Sequence, residues 1–210
     1  MKNSGWLVGT IPAAIGMFVA TGSVLAGDEK PAASAEAGKP APAFTLKNHD
    51  GKDVSLKDLA GKVVVLEWFN NECPYIVARH DPEHRNIEAE TMKQFAGKPV
   101  VWLAIDSTQS HTPETIKKVA ADWKLSFPIL ADTDGTVGRA YGAKTTPHMF
   151  VIDQKGNVAY QGAFDDDREG DKGSAAKNYV AAAVNAVLNN STVETTSTKP
   201  YGCSIKYAAK

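Results

Sequence analysis

A cysteine followed by a proline, Cys73-Pro74, stands where an apolar run gives way to a helical stretch. Val63-Val64-Val65-Leu66-Glu67-Trp68-Phe69 has the composition of a buried strand, and Asn70-Asn71-Glu72 turns out of it. A helix follows from about Tyr75. Strand, polar turn and helix make the βα unit of a parallel or mixed sheet. Pro74 then occupies a first-turn position that needs no backbone N–H, and Cys73 sits where the helix begins. The partial positive charge and free amides of a helix N-terminus favour thiolate over thiol. A thiolate is the nucleophile of thiol chemistry, so function is sought here first.

The elements that must hold this sulfur can be read on both sides of it. Phe44 to Leu46 and Asp53 to Leu56, joined across Asp50-Gly51, read as a short N-terminal hairpin. One helical region spans Tyr75 to Phe95, disturbed near Asp81-Pro82. Pro99 to Asp106 is a second apolar strand, and Thr112-Pro113-Glu114 opens a helix through Trp123, with Thr112 as its cap. Phe127 to Leu130 is a short strand, and Asp134 to Tyr141 a helical turn ended by Gly142. Pro147 to Asp153 and Val158 to Gln161 form a hairpin across Gln154-Lys155-Gly156-Asn157, and Ser174 to Leu188 is a final Ala-rich helix. The order predicts an α/β sandwich on a central mixed sheet, with an N-terminal hairpin and a C-terminal tail.

At the N-terminus, Lys2 precedes an apolar, small-residue stretch from Gly5 to Ala26, and Val24-Leu25-Ala26 has the spacing of a signal-peptidase site. Residues 1–26 are therefore read as an export leader. An uncleaved anchor is the alternative, weakened by Pro12 and many Gly and Ala. No stable membrane insertion is expected after cleavage, and the mature protein is placed in the periplasm or outside the cell. Residues 27–42 read as a flexible Ala/Pro/Gly/Lys spacer, 43–190 as the domain and 191–210 as a tail. The formal charge of -1 gives no electrostatic case for nucleic acid or anionic membranes.

Beyond the residues themselves, the chain resembles the redoxin group of the thioredoxin fold, the alkyl-hydroperoxide-reductase/thiol-specific-antioxidant branch that includes peroxiredoxins. The motifs that carry this are V-V-V-L-E-W-F-N-N-E-C-P, V-V-W-L-A-I-D, G-R-A-Y-G-A-K-T-T-P-H-M-F-V-I-D and D-Q-K-G-N-V, within about Pro40 to Leu188. The resemblance implies an antioxidant thiol oxidoreductase acting on a peroxide or a disulfide, with a thiol electron donor that the sequence does not identify. It implies Cys73 as nucleophile, and Pro74 and Thr146-Pro147 as the substrate-facing turn and a cis-proline loop. Ile76 stands where thioredoxins carry their second cysteine, which excludes a C-x-x-C disulfide. Glu67, six positions before Cys73, matches the thioredoxin acid that relays a proton. Asn70 replaces the peroxiredoxin Thr and retains an amide donor, and Leu66 replaces a Pro. Arg79 lies about one and two-thirds turns beyond the cysteine, where peroxiredoxins need an Arg near the sulfur; a surface Arg is the plainer reading.

Cys203, the second of two cysteines, lies in the tail among Pro200, Tyr201, Gly202 and Tyr207. Turn residues and aromatics predict a docked tail, on the domain or on a partner subunit. By position it matches a resolving cysteine, which would condense with oxidised Cys73. A static disulfide pinning the tail is the alternative, with an entropic gain on the order of 4–5 kcal/mol for so long a loop. His80 and His84 have i,i+4 spacing, but Pro82 between them favours solvated side chains over a zinc pair. His148 reads as structural, Trp68 and Trp102 as core, and Asp165-Asp166-Asp167 with Glu169 and Asp171 as a solvated acidic loop. No phosphate loop, dinucleotide fingerprint or G-x-S-x-G elbow occurs, and neither a cofactor nor a metal is expected.

Overall fold

Strand β3, Val63–Trp68, is buried at every position and organises the molecule. It is an interior strand of a seven-stranded sheet of order β2-β1-β5-β4-β3-β7-β8. Its neighbours are β4 (Val100–Asp106), parallel, and β7 (Met149–Ile152), antiparallel. β5 (Ile129–Ala131) adds parallel to β4, and β8 (Val158–Gly162) closes one side as a hairpin with β7. The N-terminal hairpin, β1 (Thr45–Asn48) and β2 (Asp53–Ser55), closes the other side antiparallel to β5. This computed structural model describes residues 1–2, 5, 34–80 and 87–209. The chain divides into units 1–30 and 31–210, and every element named here belongs to the second. The leader expected over 1–26 falls, except for Met1, Lys2 and Gly5, outside the described residues. No described helix is long and apolar enough to cross a membrane.

Side chains alternate across a strand, so β3 supplies two cores. Val64, Leu66 and Trp68 face one layer with Leu103, Ile105, Phe150, Val137 and Tyr141, covered by helix α4 (Thr136–Tyr141). Val63 and Val65 face the other with Trp102, Met149, Phe69, Ile76 and Phe164, covered by α3 (Pro113–Asp122) and α5 (Tyr179–Leu188). By the same period, Glu67 belongs to this second layer. Thr112 caps α3 by accepting from the Thr115 amide, with Pro113 in the first turn, as its sequence predicts. α5 begins at Tyr179 rather than Ser174, because Asn178 takes the cap and accepts from Ala181 N. The region after Cys73 contains two helices, α1 (Pro74–His80) and α2 (Ile87–Lys93), flanking the segment with Asp81-Pro82.

Two segments differ from expectation. Residues 34–42 do not run free as a spacer: Ala35 is buried, and Gly38 N and Ala41 N donate to the carbonyls of Val158 and Gly156. The open edge of the β7–β8 hairpin supplies those acceptors. The tail is docked, as predicted, and ends in a second, two-stranded sheet of β6 (Thr145–Thr146) with β9 (Cys203–Ser204).

Candidate active site

The turn that carries Cys73 is built by backbone and burial. Phe69 N donates to Ile105 O of β4, extending the ladder beyond β3. The Asn70 side-chain oxygen accepts from Glu72 N at 2.7 Å, and Cys73 N donates to Asn70 O at 3.0 Å. The amides of Ile76 and Val77 both donate to the Cys73 carbonyl, so α1 starts at the cysteine. Phe69 and Ile76 are buried beneath it. Side chains of this kind stabilise by roughly 1.5–3 kcal/mol each when fully buried, enough to fix the turn.

The Thr146-Pro147 peptide bond is cis, as expected. It brings the Thr146 carbonyl oxygen to 3.0 Å from Cys73 Sγ. On the other side of this loop β9 pairs antiparallel with β6, setting Cys203 opposite Thr146 and Ser204 opposite Thr145. The approach needs Gly202: its φ is +132°, and a Cβ there would lie 2.1 Å from Thr146 O. The result is a Cys203 Sγ only 2.8 Å from Cys73 Sγ, both as free thiols. Residues 130 positions apart in the chain thus share one site.

The two sulfurs have unlike acidities. Burial, at 2% exposure, pushes the Cys73 thiol up. The nearness of Cys203, of the Thr146 side chain and of the Ile76 backbone together outweighs it and holds Cys73 below its ordinary value. Cys203 is pushed up to about 11 by burial and by its place beside the charge of Cys73. Cys73 is therefore the more acidic of the two thiols and Cys203 the less acidic. The first turn of α1 borders an open cleft of about 440 Å³ lined by Pro74, Tyr75, Ala78, Arg79, Arg168 and Glu169.

Arg79 is neither a surface side chain nor hydrogen-bonded to the sulfur. Its terminal nitrogens donate to both oxygens of Asp165, at 3.0 and 3.1 Å, and one also bonds the Tyr201 hydroxyl. Tyr201 in turn donates to Asp165. The guanidinium lies 4.9 Å from the Phe164 ring centroid and 5.5 Å from that of Tyr201. Asp165 and Asp167 are 2% and 3% exposed, which corrects the expectation of a wholly solvated acidic loop. Arg79, 86 residues away in sequence, supplies the counter-charge that burial of Asp165 requires. Tyr201 ties this pair to the tail two residues before Cys203. Further along the tail, Thr198 Oγ1 accepts from Ala163 N, Ile205 N donates to Lys144 O, and Tyr207 OH donates to Ala143 O.

Glu67 points into the layer beneath α1. Its Oε1 lies 3.2 Å from His80 Nε2 and its Oε2 accepts from Trp102 Nε1 at 3.4 Å. His80 is buried rather than solvated, and its basicity is governed by opposing effects. Burial pulls it down, but the carboxylates of Glu67 and Glu88 raise it to about 9. His84, its proposed zinc partner, lies outside the described residues. His148 is structural, as predicted: its Nδ1 accepts from Lys144 N, it packs on Phe150, and burial pulls it down to about 3. Trp68 and Trp102 are both core.

Sequence reading assigns Asp165 to solvent and Tyr201 to docking in general, without their link to Arg79, and passes over Glu88. It also missed a buried dyad in which His111 Nδ1 lies 2.6 Å from Asp106 Oδ2, with Nε2 3.8 Å from Glu72 Oε1 beside Cys73. Asp106 ends β4 at the edge that carries the site, and that position was the available signal.

Two apposed thiols and a cis-proline loop at the end of such a sheet define an oxidoreductase of the thioredoxin fold. The chain belongs to the AhpC/TSA family, whose model matches residues 37–161. It is 30% identical over 123 residues to a thiol-disulfide oxidoreductase ResA of Bacillus thuringiensis subsp. konkukian, covering 59% of this chain and 67% of that one. It is 31% identical over 123 residues to a Coxiella burnetii protein named as a peroxiredoxin, bcp, covering 59% and 77%. Among solved structures it resembles a hypothetical protein of Sinorhizobium meliloti 1021, with a TM-score of 0.73, 29% identity and coverage of 85% and 98%.

Proposed function

We propose that this protein is an exported thiol-dependent reductase of small oxidants, peroxides before disulfides, that cycles through a Cys73–Cys203 disulfide. The observation that carries the reading is the second thiol 2.8 Å from the first, fixed there by strand pairing at the cis-proline loop. The Cys73 thiolate attacks one oxygen of the peroxide, the O–O bond breaks, and the departing oxygen takes a proton and leaves as water or alcohol. Cys73 is then the sulfenic acid. Cys203 attacks that sulfur, the S–O bond breaks, water leaves and a disulfide forms. An external dithiol returns two electrons and two protons to restore both thiols.

Pro74 and Pro147 shape the approach, and Thr146 offers its backbone and hydroxyl beside the sulfur. Asn70 uses its side-chain oxygen to close the turn, leaving its amide nitrogen as a donor to a bound oxidant. Arg79 acts through Asp165 and Tyr201 as a positioning residue for the tail. Glu67 is assigned no step, because its oxygens are engaged by His80 and Trp102. The preference for small oxidants follows from the tail: Cys203 pairs with Thr146, the backbone that a protein disulfide would use in this fold, and leaves Cys73 2% exposed. A covered sulfur favours an oxidant as small as hydrogen peroxide; a folded disulfide protein must first displace β9.

Turnover of hydrogen peroxide and of an oxidised protein substrate, with dithiothreitol as electron donor, tests this. Peroxide consumption that disappears in Cys73→Ser and exceeds reduction of the protein disulfide is expected. Equal peroxide consumption by the wild type and Cys73→Ser rejects the reading.

A further inference from the structure

Beneath α1, three titratable side chains from three elements converge: Glu67 of β3, His80 of α1 and Glu88 of α2. One ligand atom of each lies within 4.8 Å of the others. Glu67 and Glu88 are 0% exposed and His80 is 3% exposed. Among the described residues, neither carboxylate oxygen of Glu88 has a hydrogen-bond partner. A buried carboxylate without donors is costly, and such groups are ordinarily paired or bound to a metal. Arg79 lies near enough to feel the Glu88 charge, but its terminal nitrogens are turned to Asp165 and Tyr201.

We infer that Glu67, His80 and Glu88 form a divalent transition-metal site, with Zn²⁺ as the fitting ion. Two carboxylates and a neutral imidazole balance a dication, and this nitrogen–oxygen set suits zinc. The orientation of two ligands is already fixed: the Trp102 indole holds Oε2 of Glu67, turning Oε1 toward His80. Zinc–ligand bonds of about 2.0–2.2 Å require the three atoms to draw together, and Glu88 makes that movement without losing a hydrogen bond among the described residues. The ion would join β3 to the end of α1 and to α2, and so pin the helix whose first turn carries Cys73. The site uses neither cysteine, so thiol chemistry and metal binding stand or fall separately.

The test uses the protein with Cys73→Ser and Cys203→Ser, which removes both thiol ligands. The protein is stripped with chelator and titrated with Zn²⁺ by calorimetry and with Co²⁺ by visible absorption. One equivalent bound, a cobalt d–d spectrum and a rise in Tm with Zn²⁺ are expected. Affinity should fall at least about tenfold in Glu88→Gln and in His80→Asn, each checked by circular dichroism for the native fold. Absence of saturable binding, or unchanged affinity in either folded variant, overturns the site.

Discussion

Cys73, just before α1, and His80, at its end, are equally buried and chemically opposite. At the first, Cys73 is 2% exposed between the Cys203 thiol and the Thr146 carbonyl, both neutral; at the last, His80 is 3% exposed between two carboxylates. The partners at the first end include a thiol on a two-residue strand, held to the domain by backbone pairing and a few side chains. The partners at the last end sit on β3 and α2, within the main body of the fold. The difference teaches how reactivity is obtained under the same burial. The sulfur faces a thiol on a short strand of the tail, whereas the charges below sit on elements of the main body of the fold.

The most damaging way to break this contrast is to strip the tether's anchor of its charge. Asp165→Asn leaves the Arg79 guanidinium buried without its counter-ion and should cost about 3–5 kcal/mol, read as a fall in the urea midpoint with unchanged slope. A loss below about 1 kcal/mol would show that the pair is solvated in solution. Next comes Gly202→Ala, whose Cβ would meet Thr146 O. Overpacking of about 1–3 kcal/mol should lift β9 and slow Cys73–Cys203 bond formation about tenfold or more, with the domain's own Tm little changed. An unchanged rate would mean that strand pairing does not set the sulfur distance.

Acidity sharpens the comparison further. Because Cys73 is held below its ordinary value, its alkylation rate should rise with pH and level off at a lower pH than that of a free thiol. The corresponding stability runs the same way: the folded state loses the Cys73 proton first, so stability rises with pH between the folded and unfolded pKa and is lost below that window. Cys203→Ala removes the largest of the effects that lower the pKa and should move the alkylation midpoint upward. A midpoint that stays put assigns the acidity to Thr146 and the helix amides instead. The smallest effect is expected from Tyr201→Phe, about 1 kcal/mol of tail docking, seen as faster amide exchange at residues 201–205.

What the sequence reveals of this molecule is mostly local. The βα turn at Cys73, the Thr112 cap and the Thr146-Pro147 bend each lie within a few residues, and periodicity or turn chemistry suffices to place them. What it hides depends on pairing at a distance. Asp165 reads as one member of a solvated acidic run because its counter-ion is on another element. Glu88 reads as an ordinary polar residue in a helix, and only packing of α2 beside α1 on the core layer buries it. Residues 34–42 have a spacer's composition, yet they find unused backbone donors and acceptors at a sheet edge. The docking of Cys203 was suggested by its aromatic and glycine neighbours, but its pairing with Thr146 rests on a two-residue strand that no pattern announces.

The most direct test of the paired-thiol centre is peptide mapping by mass spectrometry after one equivalent of hydrogen peroxide. A peptide joining Cys73 to Cys203 within one molecule is expected in the wild type, and a Cys73 sulfenate without linkage in Cys203→Ser. Oxidation that leaves Cys73 untouched, or that joins cysteines only between molecules, would contradict it.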